Sequence, residues 1–235
     1  MKESEKILKI KEIIGHSKSL DILEKISVLP SESVVFSSSL GYEDQILTHY
    51  IAHNQLNITL FTLDTGRLFP ETYSVLQSTR EKYKINIQTY FPNSENIESL
   101  VTKKGPLSFY ESVENRKECC FYRKVEPLKR ALKNHTIWVT GIRKEQSMDR
   151  ADIEQIEYDK SNEILKVHPL LYWSFEEVKK YIKENQIPYN SLHDKGFVSI
   201  GCQPCTRAIR DGEDFRAGRW WWEDTTKKEC GLHFK

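Results

Sequence analysis

Apolar residues change their period repeatedly along this chain, and the changes mark out alternating helices and strands. Ile7, Ile10, Ile13 and Ile14 share one helical face, and Leu20, Leu23 and Ile26 continue after Gly15, so the stretch to about Ile26 is expected to be helical. Leu29-Pro30-Ser31 breaks it. Ser33-Val34-Val35-Phe36 then predicts a short strand, followed by the small-residue turn Ser37-Ser38-Ser39-Leu40-Gly41. A helix from about Glu43 to His53 follows, with acidic residues in its first turn.

The alternation then repeats. Strands are expected at Ile58–Leu63, Ile85–Tyr90, Thr136–Thr140 and Ile164–Val167. Helices are expected from Pro70 to about Tyr83, over Ser94–Thr102, from about Cys119 to Leu132, and near Phe175–Lys183. Such alternation implies an α/β fold, a Rossmann-like parallel sheet of about five strands with helices on both faces. Beyond the last helix the chain is rich in Gly, Cys and Arg, as expected of loops wrapped around a site. No repeat or low-complexity linker interrupts it. One domain over residues 1–235 is expected, with N-terminal helices over 1–30 and a mobile tail over 225–235.

Composition narrows the class. A chain of 235 residues, 38% hydrophobic and 29% charged, suits a soluble globular protein. The net charge of +1 gives no support to a nucleic-acid or membrane partner. The opening Met-Lys-Glu-Ser-Glu-Lys has no apolar stretch of signal-peptide type, and no apolar run approaches a membrane span, so the cytoplasm is the expected compartment. There, cysteines more often bind metal or react than form disulfides, and the odd count of five agrees.

The positions of the cysteines carry more than their number. Cys119 and Cys120 are adjacent, Cys202 and Cys205 form a CxxC pair, and Cys230 stands near the end in Glu229-Cys230-Gly231-Leu232-His233. Four thiols in two pairs suit a structural zinc or an iron–sulfur cluster. Neighbouring side chains on a helix diverge by about 100°, which a cluster with irons at separate corners tolerates better than one tetrahedral ion. The adjacent pair is expected near a helix start, with Arg116, Lys117, Arg123 and Lys124 close by to stabilise thiolates. Cys230, on a tail, is placed where a nucleophile could reach a buried substrate and then a second protein.

A second candidate site lies at the strand ends. Ser37–Asp44 follows a strand and starts a helix, a geometry that aims backbone N–H groups and the hydroxyls of Ser37, Ser38 and Ser39 at an anion. Gly41, Glu43 and Asp44 belong to the same segment. It is neither a Walker loop nor GxGxxG. Leu63-Asp64-Thr65-Gly66 and Thr140-Gly141-Ile142-Arg143 end two other strands, and ligands in open α/β sheets bind beyond the carboxyl ends of strands. Arg216-Ala-Gly-Arg219 could fork onto a sulfate or phosphate, whereas Arg207 and Arg210 fit surface ion pairs equally well. Trp220-Trp221-Trp222 is expected to pack, closing the site against water.

From Ser33 to His233 these motifs resemble the assimilatory sulfonucleotide reductases of the adenosine 5′-phosphosulfate (APS) type. The resemblance rests on Ser37–Asp44, Leu63–Gly66, Arg116-Lys117-x-Cys119-Cys120, Arg123-Lys124, Gly141–Arg143, Gly201-Cys202-x-x-Cys205, Arg216-x-x-Arg219 and the terminal ECGLH. Tyr42 departs from it, standing where alanine is expected. The resemblance implies an adenine nucleotide alpha-hydrolase-like fold and one [4Fe–4S] cluster on Cys119, Cys120, Cys202 and Cys205. It also implies attack of Cys230 on the sulfur of APS, release of AMP, and liberation of sulfite by thioredoxin or a similar dithiol. Lys124, Arg143, Arg216 and Arg219 would screen the like charges of thiolate and sulfate, and Lys124 would stand between cluster and substrate. Homo-oligomerisation is compatible with the sequence. Competing expectations are the 3′-phosphorylated substrate PAPS, an ATP-splitting adenylating enzyme, and a zinc-stabilised interaction module.

Overall fold

The computed structural model describes residues 3–15, 17, 19–29, 33–146, 150 and 152–223. Helix α1 (Glu3–Ile14) and helix α2 (Asp21–Ser27) are separate, because Gly15 adopts a left-handed φ of 57° and closes the first. Then follow β1 (Val34–Ser37), α3 (Tyr42–His53), β2 (Thr59–Leu63), α4 (Pro70–Tyr83), β3 (Gln88–Tyr90) and α5 (Ser94–Lys104). Helix α6 (Val113–Cys120) runs through a π-helical turn, Phe121–Val125, into α7 (Glu126–Leu132). Strand β4 (Ile137–Val139), strands β5 (Ile156–Asp159) and β6 (Ile164–Val167), and helix α8 (Phe175–Glu184) complete the regular elements.

The sheet has six strands in the order β3-β2-β1-β4-β6-β5. β1 pairs in parallel with β2 and β4, and β4 with β6, while β5 returns antiparallel to β6. The expectation of about five strands therefore missed one. Ile156-Glu-Tyr-Asp159 is a four-residue edge strand with only its end residues buried, too short to stand out as an apolar run. The parallel order places the carboxyl ends of β2, β1 and β4 on one edge. The order also reverses between β1 and β4, a switch point at which open α/β sheets leave a crevice.

The described chain falls into two compact units: 1–62, 72–88 and 134–190 in the first, 63–71, 89–133 and the residues from 191 in the second. The first holds most of the sheet and a core that includes Ile22, Leu23, Phe36, Ile46, Leu47, Ile137, Val139, Val167 and Val178. Its helix α8 is held by a complete capping box, Ser174 with Glu177. The second unit has a smaller core in which Leu100, Phe109 and Trp220 pack against Cys119, Cys202 and Cys205. Among the described residues, no helix is long and apolar enough to cross a membrane.

Candidate active site

In the first unit the turn after β1 is organised around Asp44. Its Oδ2 accepts the Ser39 N–H and the Ser39 hydroxyl, both at 2.6 Å. Gly141, just beyond β4, packs so tightly here that a Cβ would overlap the Asp44 carboxylate. Burial pushes the Asp44 carboxyl up to about 6, against the hydrogen bonds from Ser39 and the Gly141 backbone. Leu40 takes a left-handed φ of 63°, strain that the closed turn holds in place. The serines therefore divide their tasks. Ser39 braces Asp44, the Ser38 hydroxyl accepts the Leu40 N–H at 3.2 Å, and the Ser37 hydroxyl accepts the indole N–H of Trp138 at 2.8 Å.

Glu43 and Arg143 meet beside this turn. The Arg143 Nε lies 2.7 Å from Glu43 Oε1, and its Nη1 reaches Glu145 and the Trp173 carbonyl, both at 3.1 Å. The guanidinium is fully buried and lies over the Phe175 ring. The unexpected Tyr42 packs against Phe175 and Tyr189.

The second unit gathers the four thiols. Cys119, Cys120, Cys202 and Cys205 line one pocket with Arg67, Phe109, Arg116, Arg123 and Lys124. All four are free thiols, with Cys120 half-buried and the others buried. Cys119 and Cys120 end α6 instead of starting a helix, so the expected help from a helix N-terminus is absent. Ser112 is the cap, accepting the Asn115 N–H, and starts the helix at Val113. Side-chain cations supply the positive field instead. Cys202 is buried, which raises its pKa, but Lys124, the Thr65 hydroxyl, Arg219 and Arg123 together bring it below the usual thiol value. Burial and the neighbouring Cys202 push Cys205 up to about 12, and burial also raises Cys119.

The loop after β2 serves the thiols directly. Thr65 Oγ1 lies 3.2 Å from Cys202 Sγ and accepts the Arg67 N–H, so it can donate its own proton to a Cys202 thiolate. Asp64 Oδ1 accepts the Gly66 N–H, and Arg123 donates to the Thr65 carbonyl at 2.6 Å. Arg116 makes a buried bidentate pair with Glu223, both bonds 2.8 Å, and lies over the Trp220 ring. On the same ring lies Arg219, whose guanidinium crosses Gly201 so closely that a Cβ there would collide with it. Arg216 is half-buried on the same loop, and its carbonyl accepts the Arg219 N–H.

The donor set fits an iron–sulfur cluster. A thiolate-ligated cluster is anionic, and four cations line the pocket that the four sulfurs share. Arg123 Nε is buried there without a hydrogen-bond partner, as a donor that an anion would satisfy; Arg219 Nε, whose charge acts on Cys202 and Cys205, is likewise buried and unpartnered. Among the described residues no three His, Cys, Asp or Glu side chains are grouped as ligands of a single metal ion. Cys230 and the expected tail lie outside the described residues.

Several outcomes differ from the sequence analysis. Thr65, expected at a nucleotide, also lies within hydrogen-bond distance of the Cys202 thiol, a contact the sequence did not announce. Arg67, Phe109 and Arg116 line the thiol pocket although no motif singled out the first two. Arg207 pairs with Glu213 at 2.7 and 2.9 Å, which accounts for it structurally. Of the three tryptophans, Trp220 is buried and Trp222 packs on Tyr110 and Phe109, while Trp221 is exposed.

A doubly wound α/β sheet with a braced turn at its switch point, on a chain that also builds a tetra-thiol pocket, defines the class. Residues 33–208 match the family model described as the phosphoadenosine phosphosulfate reductase domain, and the chain belongs to that family of oxidoreductases. It is 50% identical over 202 residues to the adenosine 5′-phosphosulfate reductase of Allochromatium vinosum, covering 86% of this chain and 79% of that one. Against the enzyme of the same name from Sinorhizobium fredii it is 46% identical over 217 residues, 92% of this chain and 86% of the other. The crystal structure of phosphoadenylyl-sulfate reductase from Candida auris, a phosphate complex, is similar with a TM-score of 0.73 and 28% identity, over 89% of this chain and 98% of that one. Yeast FAD synthetase, at 17% identity and a TM-score of 0.53, shares the fold.

Proposed function

We propose that this protein reduces adenosine 5′-phosphosulfate to sulfite and AMP in assimilatory sulfate reduction, with thioredoxin or a similar dithiol as electron donor and the cytoplasm as its compartment. The observation that carries this reading is the convergence of Cys119, Cys120, Cys202 and Cys205 on one cation-lined pocket. Identities of 45–50% to enzymes named for APS reduction support the same substrate.

The chemistry divides into two balanced steps. The Cys230 thiolate attacks the sulfur of APS, forming an S–S bond as the S–O bond to the phosphate breaks. AMP leaves with the electron pair on its phosphate oxygen, and Cys230 carries an S-sulfo group. A thiolate of the donor then attacks the Cys230 sulfur and sulfite departs with the pair of the S–S bond. The donor's second thiol resolves the mixed disulfide, returning Cys230 to the thiol and leaving the donor as a disulfide.

The chain's other residues serve attraction and charge. A thiolate approaching a sulfonate meets like charge, which Lys124, Arg143, Arg216 and Arg219 would offset. The turn Ser37–Asp44 with Gly41 and Glu43, and the loop Leu63-Asp64-Thr65-Gly66, would hold the nucleotide. Cys119, Cys120, Cys202 and Cys205 would hold one [4Fe–4S] cluster, which when bound supplies a redox-silent anion that organises the cations around it. That silence is testable: an EPR-detected change of cluster oxidation state at the turnover rate contradicts it.

The direct test is sulfite release by the anaerobically purified protein with thioredoxin, on APS and on PAPS in parallel. APS is expected to be turned over in clear preference to PAPS. Preference for PAPS would reassign the substrate, and pyrophosphate release from ATP would overturn the reading.

A further inference from the structure

The neighbours of Ser37 in the first unit have a consequence for nucleotide binding. Register pairs Val35 of β1 with Trp138 of β4, and Trp138 with Lys166 of β6. Side chains two apart on a strand share a face, so Ser37, Trp138 and Lys166 stand on the same side of three adjacent strands. The contacts follow that register. Trp138 Nε1 donates to Ser37 Oγ at 2.8 Å, and the Lys166 ammonium lies 4.9 Å from the Trp138 ring centroid. Lys166 is itself held by Asp159 at 2.7 Å, and Trp138, Lys166 and Asp159 are all buried.

We propose that Trp138 is a positioning residue that turns the Ser37 hydroxyl into a dedicated donor for the bound nucleotide. An indole N–H can only donate, so Ser37 must accept from it. The serine's own O–H is thereby turned away from the indole. Ser37 is half-buried at the last position of β1, at the switch point of the sheet, and Trp138 is the one partner the structure gives its hydroxyl among the described residues. An acceptor-rich ligand such as the phosphate or ribose of a nucleotide satisfies that proton. Lys166 strengthens the arrangement, since a cation over the indole face draws electron density from the ring and makes its N–H a better donor. Ser38 and Ser39 have no such partner on β4. Their hydroxyls are engaged within the turn itself, with the Leu40 N–H and with Asp44.

The inference rests on the nucleotide reading above, and AMP separates the two. Dissociation constants for AMP are measured by calorimetry on cluster-loaded wild type, Trp138→Phe, Ser37→Ala and the double variant. Each single change is expected to weaken AMP about 3- to 10-fold, the range of one neutral hydrogen bond. The double variant should bind no worse than Ser37→Ala, because the two act through one hydroxyl. Additive losses, or AMP affinity unchanged in folded Trp138→Phe, would overturn the proposal alone. Wild type that does not bind AMP would overturn the nucleotide reading and the proposal together. Ser37→Ala provides a route independent of the buried substitution. In ¹⁵N-tryptophan-labelled wild type, AMP is expected to shift the one indole N–H resonance that Ser37→Ala also moves. If AMP leaves that resonance in place, the proposal fails.

Discussion

Asp44 shows how a single side chain gains a role that its place in the sequence does not disclose. Its position in the first turn of α3 suggested a helix-terminal acid, yet it is buried and braces the turn through Ser39. Its folded pKa, raised from 3.8 to about 6, means that the native state binds the proton more tightly than the unfolded chain. The stabilising contribution is complete below the unfolded value and is lost as pH rises through the folded one. Wild-type stability should therefore fall by about 2 kcal/mol between pH 4 and 6 relative to Asp44→Asn, from a shift near two units. Urea unfolding of both proteins across that range measures it; parallel curves would contradict it. At the same scale, Arg219 lies over Trp220 with a buried donor unpartnered. Arg219→Ala is expected to weaken APS about 10- to 100-fold, the range of a charge-assisted hydrogen bond, and AMP far less. Equal losses in competitive binding would mean that it does not contact the sulfate.

At the scale of elements, the segment that carries the first two cysteines departs most from its sequence pattern. A helix from Cys119 to Leu132 was expected, but the structure opens α6 six residues earlier and inserts a π turn after Cys120. Pro127 supplies the reason. It has no N–H for the Arg123 carbonyl, and its ring crowds that carbonyl in an α-helix. The chain widens instead, with the Glu126 N–H reaching back five residues to the Phe121 carbonyl. Arg123 and Lys124 lie in that widened turn and line the thiol pocket. Pro127→Ala should let the α register run through, raising helix stability while lowering kcat/KM about tenfold. Thermal melting and steady-state rates of the same preparation test the trade; unchanged rates would separate the π turn from the site. Most strands could be predicted because β1, β2, β4 and β6 are short, largely apolar runs rich in Val, Ile, Leu and aromatic residues. Edge strand β5 and the extent of β3 were not, since Ile85-Asn-Ile87 carries strand-like alternation but only Gln88–Tyr90 pairs in the sheet.

Over the whole molecule, the candidate chemistry was more readable than its wiring. Cysteine spacing alone brought Cys119, Cys120, Cys202 and Cys205 together, because few arrangements other than a shared centre use two such pairs. Arg116 was legible beside the cysteines, whereas Arg67 and Phe109 approach the thiols only through folding, and nothing in the sequence around Thr65 announces its contact with Cys202. The central claim joins the thiol pocket to a nucleophile far along the chain. It is tested most directly by the intact mass of the reduced, cluster-loaded protein after incubation with APS and no thioredoxin. One added SO3 group is expected, mapping to the peptide of Cys230, absent from a Cys230→Ser variant that keeps its cluster absorption, and removed by thioredoxin with release of sulfite. A cluster-loaded protein that binds APS but gains no such mass, or gains it equally in Cys230→Ser, would contradict the account.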